Sequence, residues 1–231
     1  MWLLKSSVGK KVIMSVSGMA LILFLLFHMS MNLVALFSGD AYNMICEFLG
    51  ANWYALVATA GLAALVVVHF VYAFILTIQN KKARGAQPYA YTAKPKEVEW
   101  ASQNMFVLGV IVLLGLVLHL YNFWAKMQLV EVMHMLGADV CTQNATNGTY
   151  HIAQTFGSPV YVVLYIVWLV ALWFHLTHGF WSALQTLGWN NQVWFNRWRC
   201  IGNVVATIII LGFMSVVLCY FGRSLCAGAC C

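Results

Sequence analysis

Five stretches of this chain, about residues 12–37, 54–79, 101–125, 159–186 and 201–222, contain no Lys, Arg, Asp or Glu. Each exceeds the roughly 20 apolar residues that an α-helix needs to cross the hydrocarbon of a bilayer. In lipid every backbone N–H and C=O must be paired within the protein, so only helices and closed barrels span it. A barrel strand would alternate apolar and polar residues, whereas Leu62 to Val68 is apolar throughout. The fold class expected is therefore all-α: an integral membrane bundle of five transmembrane helices, one domain over residues 1–231. With 63% hydrophobic and 8% charged residues, the chain has too little charge to cover a water-soluble domain of this length.

The first stretch follows Lys5, Lys10 and Lys11, as a secretory leader would. It is too long for a leader's apolar core and lacks an Ala-x-Ala cleavage site, so it reads as a retained first helix. Orientation follows from the cations. Lys5, Lys10, Lys11, Lys81, Lys82, Arg84, Lys94, Lys96, Arg197 and Arg199 fall on one side, ten in all, against Lys126 and Arg223 on the other. This places the N-terminus in the cytoplasm and the C-terminus outside. The net charge of +6 is then a topology signal rather than a nucleic-acid footprint, because the cations are spread over short loops beside apolar helices.

The linkers are short and polar. An inner one, Gln79 to Trp100, holds Pro88 and Pro95; an outer one, Lys126 to Ser158, holds His134 and His151 and ends where Pro159 opens the fourth helix. Asn144-Ala145-Thr146 and Asn147-Gly148-Thr149 are formally glycosylation sequons, though common in any polar loop. Cys46 and Cys141 fall in outer loops, where a disulfide is chemically permitted. The tail Cys226, Cys230 and Cys231 has spacing compatible with metal binding or lipidation. Trp53, Tyr54, Trp100, Tyr121, Trp124, Trp189 and Trp194 cluster at the expected interfaces as an aromatic belt.

The chemistry lies in the histidines. His28, His69, His119, His175 and His178 sit inside the apolar stretches, where an ionisable side chain is costly and marks function by default. A lone neutral imidazole could simply hydrogen-bond a neighbouring helix, but here four different helices carry one. His28 lies about nine residues before the outer end of its helix, roughly 14 Å, and His119 also lies nearer the outer end. His69 lies about ten residues from the inner end, roughly 15 Å, with His175 at similar depth. Depth thus pairs His28 with His119 and His69 with His175, in layers about 10 Å apart across a span of roughly 39 Å.

Two bis-imidazole pairs at two depths suit two stacked b-type haems, because filling both axial positions of the iron favours electron transfer over oxygen binding. Bundle cores hold cofactors between ligands on facing helices. Gly61, Gly115 and Gly179 near the ligands would make room for porphyrin, though glycine also serves ordinary close packing. His178, three residues from His175, is the alternate fourth ligand or a partner for a haem propionate or the backbone.

With Ser17-Gly18 before Phe27-His28-Met29, His69 ahead of the basic loop, His119-Leu120-Tyr121, and His175-Leu176-Thr177-His178-Gly179-Phe180-Trp181-Ser182, the chain resembles the single-chain, five-helix cytochrome b of succinate dehydrogenases and fumarate reductases. The resemblance covers nearly the whole chain. In that family the axial His of the fourth helix stands four residues before a Gly, which selects His175 over His178. The resemblance implies two haem b groups, with iron held distally by His28 and His119 and proximally by His69 and His175. It implies a flavoprotein and an iron–sulfur subunit docked on the cytoplasmic face of a bacterial cytoplasmic membrane, and electrons relayed between quinone, menaquinone by analogy, and the iron–sulfur chain. Relatives often pair as dimers of the whole complex. Similar cytochromes carry a functional Glu in the outer loop after the first helix; here Glu47 is the candidate acceptor for quinol protons, with Asp40 as the alternative. Some relatives also carry a Glu two residues before the fourth-helix ligand, where this chain has Trp173. The chain has no site for a dicarboxylate, so it would be an enzyme only as a subunit.

Two rivals remain. A dihaem cytochrome b of a hydrogenase or nitrate reductase would cluster its ligands on fewer helices, and no two His here show the spacing of bc-type cytochromes. A His-dependent transporter would place acids in broken helices at the midplane, yet none of the six acids lies mid-span.

Overall fold

The computed structural model describes residues 6–84 and 100–229. Lys5, Pro88, Lys94, Pro95, Lys96, Cys230 and Cys231 lie outside the described residues. The elements are α1 (Ser7–Phe37), α2 (Gly39–Phe48), α3 (Trp53–Arg84), α4 (Trp100–Gln103), α5 (Met105–Asn122), a single 3₁₀ turn (Trp124–Lys126), α6 (Gln128–Met135), α7 (Gly148–Phe156), α8 (Pro159–Thr186) and α9 (Trp194–Ala229). Among the described residues, α1, α3, α5 with its 3₁₀ extension, α8 and α9 are the five helices long and apolar enough to cross a membrane. The chain is thus an all-helical, multi-pass membrane protein.

The expected spans differ from the observed helices mainly at their ends. Helices α1, α3 and α9 extend into polar sequence beyond the apolar stretches, because a helix continues past the hydrocarbon wherever nothing stops it. The third stretch is interrupted at Asn104, whose backbone (φ −105°, ψ 13°) and uncapped N-terminus separate α4 from α5. Ser158 and Pro159 open α8 as expected, with proline at a position whose N–H would have no helical partner. At the other end of α8, Gly188 takes φ 84°. That left-handed residue lets Trp189 N–H reach Leu184 O at 3.0 Å and close the helix end.

Helices α1, α8 and α9 pack mutually, with α3 resting on α1 and α5 on α8. The core runs along their shared faces through Ile22, Leu169, Leu172, Leu176, Ala206 and Ile209. Lipid tails are as apolar as leucine, so such helices associate by close packing rather than by expulsion from water. The closest crossings are made by glycine. A Cβ on Gly212 of α9 would overlap Met29 of α1, and one on Gly115 of α5 would overlap the Trp168 indole of α8. Trp168 is held there by donating Nε1–H to Val112 O at 3.0 Å.

At the end opposite the basic loops, the two linkers expected as loops fold into helices α2, α6 and α7. Asn43 and Thr149 lock α2 to α7: Asn43 Nδ2 donates to Thr149 Oγ1 at 3.1 Å, and Thr149 N–H donates to Asn43 Oδ1 at 3.0 Å. Asn147, one of the sequon residues, caps α7 by accepting from Tyr150 N–H at 3.0 Å. Cys46 and Cys141 are both free thiols, so the disulfide open to them on sequence is not formed. Cys46 instead faces Gly148 and Tyr42, and burial pushes its thiol above the ordinary range.

His151 of α7 is 5% exposed and shares a 2.9 Å hydrogen bond between its Nε2 and Asn144 O. Burial holds its imidazole below the ordinary range; the Asn144 carbonyl opposes that shift and the Lys126 charge adds to it. The unfolded chain therefore takes up this proton first. Stability is fully present above the ordinary histidine value of about 6.5 and falls as pH drops below it. Thermal unfolding of the detergent-purified protein between pH 7.5 and 5, values set roughly one unit either side of that figure, should lose part of its pH slope in His151→Gln.

Gly115→Ala should destabilise the bundle by about 1–3 kcal/mol, because its methyl must displace a hydrogen-bonded indole. Gly61→Ala, where a Cβ meets nothing within 4 Å, should cost no stability in the same unfolding assay.

Candidate functional site

The imidazoles meet in twos. His28 of α1 and His119 of α5 have ring centres 5.8 Å apart at 84° between planes. His69 of α3 and His175 of α8 have centres 6.4 Å apart at 66°. Among the described residues no three His, Cys, Asp or Glu side chains converge as a metal-binding group. His178 meets the Trp181 ring at 4.9 Å.

Each pair has a distinct setting. Aromatic rings surround the first: Phe24 stacks on His28 at 5.4 Å and 15°, Phe213 lies 5.7 Å away, and Trp168 and Phe123 flank His119 at 5.6 and 5.1 Å. The second has a polar contact, Ser17 Oγ to His69 Nδ1 at 3.1 Å. It also has two small neighbours: a Cβ on Gly18 would stand 3.1 Å from His69 Cε1, and one on Gly109 would stand 3.9 Å from His175 Cε1. The eleven residues from Ser17 to His28 make about three turns, so these levels on α1 share one face and lie roughly 16 Å apart, farther than the about 10 Å expected from depth.

Whether this donor set suits haem can be tested on its geometry. Two imidazoles on opposite sides of one iron, with roughly 2 Å per metal–nitrogen bond and about 1 Å from nitrogen to ring centre, stand about 6 Å apart. Both pairs have that separation. In addition, neither α1 with α5 nor α3 with α8 is among the principal packed pairs of the described helices. Helix α3 is the loosest wall, with none of its most apolar window buried against a third of that of α8. Nδ1 of His119 and of His175 is buried without a hydrogen-bond partner, as unsuited to a plain polar contact in the core as it is tolerable on a ring anchored through its other nitrogen. The four histidines fit two such groups.

The glycines expected to make room for porphyrin have different neighbours. Gly115 receives Trp168, Gly179 has only Met105 Cε at 3.9 Å, and Gly61 meets nothing within 4 Å. Gly18 and Gly109 are instead the glycines beside imidazole carbons.

The two acids separate. Asp40 lines an open polar cleft of about 440 Å³ with Asn43, Asn147, Thr149 and Arg223. Glu47 instead faces Glu131, which the sequence alone did not single out. Burial raises the Glu131 carboxyl above the ordinary range and the Glu47 charge adds to this, while the Ala51 N–H opposes it. Gly50, whose Cβ would meet Glu131 Oε2 at 2.6 Å, allows the approach. No local pattern marks Glu131, because its neighbour is 84 residues away in the chain (131 − 47). Trp173, at the position where some similar cytochromes carry a glutamate, donates Nε1–H to Thr207 Oγ1 at 3.0 Å and ties α8 to α9.

Comparison of the chain with models of known protein families, with curated proteins and with solved structures finds no match.

Proposed function

We propose that this chain is the membrane anchor and electron-transfer subunit of a succinate dehydrogenase or fumarate reductase complex, binding two b haems between membrane quinone and an iron–sulfur partner. The observation that carries this reading is the meeting of four histidines from four spanning helices as two pairs with ring centres 5.8 and 6.4 Å apart. Bound haem would supply a one-electron carrier at each pair, with a potential set by its axial ligands and their hydrogen bonds.

The chain's own residues do the rest. His28 with His119, and His69 with His175, would hold the two groups. Phe24, Phe213, Phe123 and Trp168 keep water from the first pair. At the end away from the basic loops, Glu47 beside Glu131, or Asp40 in the polar cleft, takes the protons that quinol releases. The cations of the opposite end, Lys10, Lys11, Lys81, Lys82, Arg84, Arg197 and Arg199 among them, set that end in the cytoplasm of a bacterial cell and face the iron–sulfur subunit and its flavoprotein. The quinone is taken to be menaquinone, by analogy. The chain alone performs no dicarboxylate chemistry.

A reduced-minus-oxidised spectrum with haem quantitation on the purified chain tests the reading. Two b haems per chain are expected, with His28→Ala and His69→Ala each losing a different one. Correctly inserted protein without haem overturns it. Orientation has its own test in Cys141, which is exposed. In a variant retaining only that cysteine, a membrane-impermeant maleimide should label intact cells; labelling only after permeabilisation reverses the orientation.

A further inference from the structure

The two histidine pairs differ in one respect that bears on how the sites would work. Ser17 of α1 is 3% exposed, and its Oγ lies 3.1 Å from His69 Nδ1 and 3.0 Å from Met14 O. A carbonyl oxygen only accepts, so the single hydroxyl proton of Ser17 goes to Met14. The serine oxygen is then free to accept from His69, and the Met14 carbonyl also lies within hydrogen-bonding reach of that ring, so the ring proton sits on Nδ1 beside two acceptors. If Ser17 donated to the ring instead, two acceptor oxygens would be buried 3.0 Å apart with no proton between them. Nε2 of His69 is thereby left with its lone pair, the state a metal ligand needs.

Resting on the haem reading above, we propose that Ser17 is the positioning residue for His69. It fixes the ring's tautomer and direction and, by accepting from Nδ1–H, makes this imidazole the more electron-donating ligand of its pair. Gly18 completes the seat, since a Cβ there would stand 3.1 Å from the ring. Nδ1 of His175, the other ligand of this pair, and of His119 in the first pair is buried without a partner. A more basic axial ligand favours the oxidised iron, so Ser17 lowers the potential of the haem held by His69 and His175 and leaves that of the other haem unchanged.

The experiment is a redox titration of both b haems in the purified wild-type chain, Ser17→Ala, Ser17→Thr and Ser30→Ala. Ser30 serves as the control because its hydroxyl donates back along its own helix to Leu26 O at 2.8 Å. In Ser17→Ala the haem that His69→Ala abolishes should shift roughly threefold toward the reduced form, an increase of about 30 mV at 59 mV per tenfold for one electron. Its low-temperature electron paramagnetic resonance signal should move with it, while the second haem stays unchanged. Ser17→Thr, which keeps a hydroxyl, and Ser30→Ala should titrate as wild type. Selective loss of that one haem in Ser17→Ala, restored in Ser17→Thr, supports the same conclusion. Unmoved potentials in Ser17→Ala, equal shifts of both haems, or the same defect in Ser17→Thr overturn the inference. A wild-type chain without haem overturns the functional reading itself, which keeps the two failures distinct.

Discussion

The hydrocarbon interior offers no hydrogen bonds, and the rest of this structure depends on that. Polar side chains placed within spans must find partners inside the protein. Asn122, 1% exposed, donates to the Tyr165 hydroxyl at 3.4 Å; Tyr220 donates to Ala35 O at 3.3 Å; Trp173 and Trp168 spend their indole N–H groups on α9 and α5. Among the described residues a few buried polar atoms have no such partner: Asn122 Oδ1, Trp181 Nε1, and Nδ1 of His119 and of His175. His119 and His175 each face another imidazole.

Close packing and deliberate spacing work together here. Where Gly212 meets Met29, and where Gly115 meets Trp168, helices approach so closely that a methyl group has no room. With Gly202 of α9, whose Cβ would meet Phe180 of α8 at 2.8 Å, these contacts join α1, α8 and α9 as a packed centre, with α5 attached to α8. Helix α3 rests on α1 alone among its principal contacts, and its most apolar window has no buried residue. The His69–His175 contact is made between this loosely held helix and the packed centre.

Much of this was legible in the sequence, and for identifiable reasons. The five spans follow from lipid physics acting on composition, and their ends were misjudged where a helix outruns its apolar stretch, as α9 does by starting at Trp194, and where Asn104 breaks the third stretch. The juxtaposition of His28 with His119 and His69 with His175 was open to reasoning from depth, because alternating helices convert position along the chain into height in the membrane. Ser17 was partly legible, since it lies on the His28 face of its helix. Glu131 was not, and neither were the helices α2, α6 and α7, which hold together through contacts such as Asn43 with Thr149, 106 residues apart.

The sequence by itself determined the number of crossings, the helical class and which imidazoles share a level, because each depends on local composition and a fixed rise of about 1.5 Å per residue. Only the tertiary structure decided which helices touch and which stand apart, that the His175 ring meets that of His69, and that Ser17 accepts from the His69 ring. Those outcomes depend on the rotation of each helix about its axis. Rotation is set by the fit of side chains from distant parts of the chain, Gly212 against Met29 and Gly115 against Trp168, and no local pattern encodes it.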